Sequence, residues 1–215
     1  MEIRNNNTSF GWRYPVHSAI TENAVRKSET LFKNVNDIAN SSIRPDFEER
    51  AILCQTHFYY KDTKKSFLDY TKKANARAEY NRHVTEMIKN RESNRAIALD
   101  HAGRAAHYLQ DICQPQHISK GGVIKKAIER NTHKMFESLA YDSHKNLIKN
   151  ANKNNNQMNA RSFSDLFNKT IDESSQIDVP TKKNQNKWND IAQSGINIAV
   201  SATNKFFEMV EHVFN

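Results

Sequence analysis

Two short stretches of the sequence concentrate side chains that bind metal ions. Residues 107–117 read HYLQDICQPQH, and a second pair, His133 and Glu137, follows one linker later. His107 and Asp111 are four residues apart, as are His133 and Glu137, and on a helix this spacing puts both members of a pair on one face. Imidazole and carboxylate donors without a cysteine pair suit catalytic zinc better than a closed structural zinc site. The sequence therefore predicts two two-residue clips for metal.

The helix that carries the first clip has the clearest pattern in the chain. Its inward-facing residues recur at intervals of three and four: Ile97, His101, Ala105, Tyr108 and Ile112. Pro115 biases the preceding residue away from helical geometry, so the helix is expected to end there. His117 then lies in the following loop, from which it can turn back toward His107 and Asp111.

The remaining sequence favours helices over strands. It has only 5 Gly and 4 Pro, few for an all-β chain that needs frequent turns. Helical spacing predicts further helices at about 17–32, 47–58, 66–90, 124–150 and 188–214, and the polar residues 149–160 are predicted to be a loop or a frayed end. A chain of 215 residues can bury one core. We therefore predict a single all-α domain, a helical bundle.

The charge and the cysteines leave several readings open. A formal charge of +8 suits anionic partners such as phospholipid surfaces, nucleic acids or phosphate esters, although a composition rich in Lys and Asn gives the same excess without a partner. Cys54 and Cys113 are interpreted as buried free thiols. Residues 1–11 lack the apolar core of a secretory signal, and no stretch approaches the roughly 20 apolar residues of a transmembrane helix.

The metal-binding residues resemble those of the bacterial zinc-dependent phospholipases C, whose fold is shared by the S1/P1-type zinc nucleases. HYLQDICQPQH is similar to the phospholipase signature of His, Tyr, Asp, Pro and a second His. Four other blocks resemble family segments in the same order: Trp12 with His17, Arg44-Pro45-Asp46-Phe47, His57-Phe58-Tyr59, and His133-Lys134-Met135-Phe136-Glu137. The resemblance covers nearly the whole chain, from Trp12 to the helix that begins near Trp188.

This resemblance implies an all-helical catalytic domain over residues 12–215, preceded by a polar extension, residues 1–11. It also implies up to three zinc ions. Asp46, His57, His107 and Asp111 would hold one zinc, His117, His133 and Glu137 a second, and the Trp12 backbone, His17 and the bridging Asp111 a third. Asp46 is in addition the implied general base.

The implied activity is hydrolysis of a phosphoester by a zinc-activated water. The chain would act as a phospholipase C that cleaves phosphatidylcholine-type lipids to diacylglycerol and a phosphorylated head group. The family would suggest a secreted protein, although no signal peptide is visible in this chain. The sequence departs from the family at three points. Eleven residues precede Trp12, and unless they are cleaved they would remove an amino-terminal zinc donor. In addition, Gln110 replaces the usual Gly, and Cys113 lies within the signature.

Two other functions stay open on the residues. The short interval between Trp12 and His17 is closer to the nucleases, whereas Glu137 after Phe136 has the phospholipase form, so a single-strand nuclease acting on nucleic acid is the runner-up. A non-enzymatic helical protein stabilised by zinc is a third hypothesis. Peripheral membrane contact would depend on basic residues and on exposed aromatic side chains, for which the candidates are Phe58, Tyr59 and Tyr60, unless these residues belong to the core.

Overall fold

The computed structural model describes residues 12–48, 56–59, 75–118, 122–154 and 157–215, with the backbone alone for 122–130. These residues form helices joined by turns, and they contain no strand. In chain order the α-helices are α1 (Tyr14–Val25), α2 (Val35–Ser41), α3 (Pro45–Glu48), α4 (Ala76–Asn90), α5 (Arg95–Asp111), α6 (Pro115–Ile118), α7 (Gly122–Asn154), α8 (Phe163–Ser174) and α9 (Trp188–Phe214). Single 3-10 segments lie at Phe32–Asn34 and Lys182–Lys187. The predicted all-α fold class is confirmed.

Helix α5 lies in the middle of the bundle. It packs against α2, α4 and α9, and every side chain from Ala102 to Asp111 is buried. Asn94 caps its start by accepting a hydrogen bond from the backbone of Ile97 at 3.1 Å. Because this helix is covered on all sides, its polar residues lie in the core, where each needs a partner.

Two apolar clusters make up the core, and α9 contributes to both. Phe206 and Val210 belong to the first cluster, with residues of α2, α4, α5 and α8. Ile191 and Ile196 belong to the second, together with Trp12 and with residues of α1 and α7. The long last helix therefore joins the two halves of the core, and its bounds match the predicted range 188–214.

Several predicted helix boundaries differ from the structure. The sequence predicts one continuous helix over about 17–32. In the structure α1 ends at Val25, and the chain turns before the 3-10 segment that begins at Phe32. Helix α7 continues to Asn154, into the stretch that the sequence assigns to a loop. Helices α2 and α8 have no counterpart in the sequence prediction. Ile97, expected on the inner face of α5, is 44% exposed because it lies in the first turn of that helix.

Some sequence predictions fall partly outside the described residues. Cys113 is a buried free thiol, and burial raises its pKa well above the usual value. Cys54 lies outside the described residues, as does Tyr60. Phe58 is buried and packs on the ring of His117, so it is a core residue and not an exposed membrane contact. None of the helices in the described ranges is both long and apolar enough to cross a bilayer.

Candidate metal centre

His107 and Asp111 face each other one turn apart on α5, as their spacing predicts. Nε2 of His107 lies 3.2 Å from Oδ2 of Asp111, and both side chains are fully buried. These two residues occupy the point at which the other candidate ligands converge.

The backbone of Ser42 orients the ring of His107. Nδ1 of His107 lies 2.8 Å from the carbonyl oxygen of Ser42. Since a carbonyl oxygen can only accept, Nδ1 carries the proton, and the lone pair of Nε2 points toward Asp111. This contact needs α2 close to α5, and Gly103 permits it: a Cβ there would lie 2.5 Å from the carbonyl oxygen of Ile38 and 2.6 Å from Cβ of Ser41.

His57 comes from a distant part of the chain to the same carboxylate. Its Nδ1 lies 2.7 Å from Oδ2 of Asp111 and 3.0 Å from Nε2 of His107. Donors arranged tetrahedrally around zinc at about 2.0–2.1 Å are about 3.3 Å from one another. The three donor atoms are thus spaced nearly as one zinc ion requires.

His17 and Asp46 form an adjoining group with His107. Ligand atoms of these three residues lie within 4.8 Å of one another. Oδ1 of Asp46 is 3.9 Å from Nε2 of His107, and Nε2 of His17 is 3.5 Å from Oδ1 of Asp111. His107 belongs to both groups and Asp111 is within reach of both, so the two groups are continuous.

Three donor atoms in these groups are buried without a well-formed hydrogen bond to any described residue. They are Nε2 of His17, Oδ2 of Asp46 and Oδ1 of Asp111. An unsatisfied buried polar atom costs roughly 1–3 kcal/mol, so several in one place require an explanation. All three can offer a lone pair, and a bound cation would satisfy Nε2 of His17 and Oδ1 of Asp111, which lie 3.5 Å apart. The residues present therefore fit a metal ion.

A network of ion pairs holds the short helix that carries Asp46. Nη1 of Arg44 lies 2.6 Å from Oδ1 of Asp100, and Nε of Arg104 lies 2.8 Å from Oδ2 of the same carboxylate. Both arginines also contact Glu48, the last residue of α3. Helix α3 is thereby fixed to α5 at both ends of one turn, which positions Asp46 beside His107.

His117, His133 and Glu137 form a third group. Nε2 of His133 lies 2.6 Å from Oε1 of Glu137, one turn along α7, and the rings of His117 and His133 are 5.4 Å apart. Ligand atoms of the three lie within 4.8 Å of one another. Nδ1 of His117 donates to the carbonyl oxygen of His57 at 2.8 Å, which leaves its Nε2 as the ligand atom.

Comparison with known proteins gives a match in structure alone. No family profile matches the sequence, and no curated protein matches it. The alpha toxin from Clostridium absonum superposes with a TM-score of 0.68 at 17% identity, and the Clostridium perfringens alpha-toxin from avian strain SWCP with a TM-score of 0.60 at 16% identity. Each match covers 97% of this chain and 65% of the toxin chain.

The chain has the alpha-toxin fold. This confirms the bacterial zinc phospholipase C fold that the sequence resemblance predicted. The regular secondary structure of the described residues of this chain is all helical. The chain spans less than two thirds of the length of each toxin chain.

The electrostatics of the centre in this alpha-toxin fold favour the ligand forms of Asp111 and His107. At His17 burial would lower the pKa, but the hydrogen bond to Asp111 and the charges of Asp111 and Asp46 raise it overall. Burial would raise the pKa of Asp111, but His107 and His57 beside it outweigh burial and hold that pKa well below the usual value. Burial lowers the pKa of His107. The result is an ionised carboxylate next to a neutral imidazole, which are the states that bind a metal.

The side chain of Trp12 contacts the backbone of Gln110, the residue before Asp111. The indole is fully buried, and its Nε1 donates to the carbonyl oxygen of Gln110 at 3.1 Å. Its backbone as a zinc donor stays a prediction. Sequence reasoning missed the residues that orient the ligands: the carbonyl of Ser42 leaves no trace in a side-chain pattern, and Gln110 is visible only as a departure from the signature.

Proposed function

We propose that this chain is a zinc-dependent phosphodiester hydrolase of the phospholipase C type. Its substrates would be phosphatidylcholine-type lipids, and its products diacylglycerol and a phosphorylated head group. The observation that carries the proposal is the set of three donor groups, two of which are joined through His107 and Asp111 and contain buried donor atoms without hydrogen-bond partners in the described structure.

The ligand assignment in this proposal follows the sequence prediction, with one addition. Asp46, His57, His107 and Asp111 hold one zinc, and His117, His133 and Glu137 hold a second. His17, Asp111 and the Trp12 backbone hold a third, with Asp46 also within reach of His17. The carboxylates of Asp46, Asp111 and Glu137 would supply part of the negative charge that such ions need.

Zinc in these positions would supply Lewis-acid chemistry, lowering the pKa of water and neutralising charge on phosphoryl oxygens. Asp46 then has two separate tasks, for which its two oxygens are suitably placed. Oδ1 lies toward His107, and Oδ2 is buried without a partner in the described structure, free to accept the proton of the attacking water. The short α3 helix and its arginine clamp keep this carboxylate in place during the reaction.

Two exposed aromatic residues support an amphiphilic substrate. Tyr14 and Phe47 are 50% and 37% exposed, and their rings are 5.8 Å apart. Phe47 follows Asp46 directly, and Tyr14 lies one helical turn before His17. An apolar pair next to a polar centre suits a lipid whose phosphodiester joins its head group to its acyl chains, and the net positive charge suits an anionic phosphate or surface.

The Asp46→Asn variant tests the catalytic assignment. We expect turnover of p-nitrophenyl phosphorylcholine by the zinc-loaded protein to fall at least 10²-fold, because the amide cannot accept the proton and binds zinc poorly. Asp178→Asn is the matched control, since Asp178 is exposed and outside the centre, and it should keep full activity. Zinc content and circular dichroism are measured on both variants. Full turnover by Asp46→Asn would contradict the role of Asp46.

A side-by-side assay separates the candidate functions. Zinc-loaded protein is offered phosphatidylcholine micelles and single-stranded DNA at equal phosphodiester concentration. Turnover of the lipid alone supports the proposal, and turnover of the DNA alone identifies a nuclease. If neither is cleaved and a chelator unfolds the protein, zinc has a purely structural role.

A further inference from the structure

The side chain of Gln110 makes an unusual set of contacts for a glutamine in a protein core. Its side chain is fully buried on α5, next to Asp111. Oε1 lies 2.7 Å from Nδ1 of His17, while Nε2 donates to the hydroxyl oxygens of Thr21 at 2.9 Å and Thr203 at 3.3 Å. Burying a carboxamide is costly unless its polar atoms are paired, and here all of them are.

In the structure the carboxamide has its oxygen toward His17 and its nitrogen toward two threonine hydroxyls. Thr21 on α1 and Thr203 on α9 take its two N–H groups, so the carbonyl oxygen is presented to His17. Nδ1 of His17 must then carry the proton, and the lone pair of Nε2 faces Oδ1 of Asp111, 3.5 Å away. A reversed amide would put the proton on Nε2 instead and block it as a ligand atom.

We propose that Gln110 is the positioning residue for zinc at His17: its carbonyl oxygen holds the imidazole in the tautomer and orientation in which Nε2 can bind the ion. The inference rests on the proposed zinc centre and adds to it a residue that touches neither the ion nor the substrate. His107 and His117 are oriented by backbone carbonyls of Ser42 and His57, whereas His17 depends on a side chain. The orientation of His17 can therefore be disturbed by replacing one side chain, with the backbone left in place.

The size of the effect follows from related second-layer contacts. Removing the hydrogen-bond partner of a ligating histidine costs typically 10–100-fold in metal affinity. We expect Gln110→Met, which keeps the side-chain volume and removes the acceptor, to weaken one zinc-binding event by about that factor and to leave the others unchanged. Gln110→Glu offers only acceptor oxygens to Nδ1, and the two threonine hydroxyls can turn to donate, so it should restore binding.

The experiment is equilibrium dialysis of the full chain at graded free Zn²⁺, with zinc counted by mass spectrometry. Wild type, Gln110→Met, Gln110→Glu and His17→Ala are compared, and the double variant His17→Ala/Gln110→Met closes the cycle. We expect Gln110→Met to have no further effect once His17 is absent. Circular dichroism and thermal melting confirm that each protein is folded.

Three results would overturn the inference. The first is that Gln110→Met binds zinc with wild-type affinity at every zinc site. The second is that Gln110→Met lowers zinc binding as much in the His17→Ala protein as in wild type, because its effect would then not depend on His17. The third applies if Gln110→Met does not fold: loss of the zinc bound at His17 from Gln110→Glu, which keeps an acceptor oxygen, would then contradict the proposal. Wild-type protein that binds no zinc would refute the proposed function together with the inference, a result distinct from the other three.

Discussion

Replacing Gly103 by alanine should loosen the metal centre from outside it. The new Cβ would lie 2.5 Å from the carbonyl oxygen of Ile38 and 2.6 Å from Cβ of Ser41, and both atoms belong to α2. Ordinary contacts begin at about 3.4 Å, so α2 has to retreat by roughly 0.9 Å. The hydrogen bond from His107 to the Ser42 carbonyl, now 2.8 Å, would then lengthen to about 3.7 Å and be lost.

The expected cost of Gly103→Ala combines three effects. Overpacking in a core costs about 1–3 kcal/mol, and loss of a buried hydrogen bond costs about 1 kcal/mol. Alanine in place of glycine in a helix returns up to about 1 kcal/mol. We therefore expect the free energy of unfolding without metal to fall by about 1–3 kcal/mol, and zinc affinity at the His107 group to fall by about 10-fold or more.

Urea unfolding in a chelator and zinc dialysis measure these two quantities. Gly195→Ala is the control: it also adds a methyl group to a buried helix, but its nearest neighbours are the carbonyl oxygen of Cys113 at 2.9 Å and the indole of Trp12 at 3.1 Å, with no atom of α2 among them. It should destabilise the protein less and spare the His107 group. Unfolding energy within about 0.5 kcal/mol of wild type together with unchanged zinc affinity in Gly103→Ala would refute the reasoning.

Two further predictions concern the surroundings of the site. Burial would raise the pKa of Asp100, but hydrogen bonds from Ser41 and Arg104 and the charges of Arg104 and Arg44 lower it overall. A carboxylate whose pKa is lowered by folding stabilises the protein at pH values above its unfolded pKa of about 3.9. This stabilisation is lost as the pH falls through the folded-state pKa. At neutral pH, Asp100→Asn should lower the free energy of unfolding by about 1–2 kcal/mol. In urea titrations below about pH 4 this difference from wild type should shrink. A difference that stays constant with pH would contradict the ion-pair clamp. If Tyr14 and Phe47 contact lipid, the double serine variant should lose several-fold more turnover on phosphatidylcholine micelles than on soluble p-nitrophenyl phosphorylcholine; equal losses would show that the pair does not act at the lipid surface.

The sequence was informative where local pattern determines local structure. Helix α5 and helix α9 were predictable because apolar residues recur at helical spacing over many turns, and Pro115 stops the first of them. The pairing of His107 with Asp111 follows from the same geometry. Helix α8 was not predicted, although Ser162 caps it and an amphipathic pattern follows.

The convergence of the ligand groups could not be obtained from spacing alone. His17, Asp46 and His57 reach the centre only because α1, α3 and the segment around His57 pack on α5, and such packing depends on contacts between residues far apart in sequence. The resemblance to a known family supplied that information instead. The orienting partners were out of reach for a different reason, because a backbone carbonyl such as that of Ser42 has no side chain to recognise.

The complete burial of α5 from Ala102 to Asp111 also limits how this protein can diverge. A helix with a solvent-facing side tolerates substitutions there, whereas all ten of these positions are buried, and two of them, His107 and Asp111, belong to the candidate metal site. Exposed positions of α7, such as Asp142 and Lys145, carry no such restriction. Among the described helices, α5 is therefore a segment in which few substitutions should leave both the packing and the candidate metal site intact.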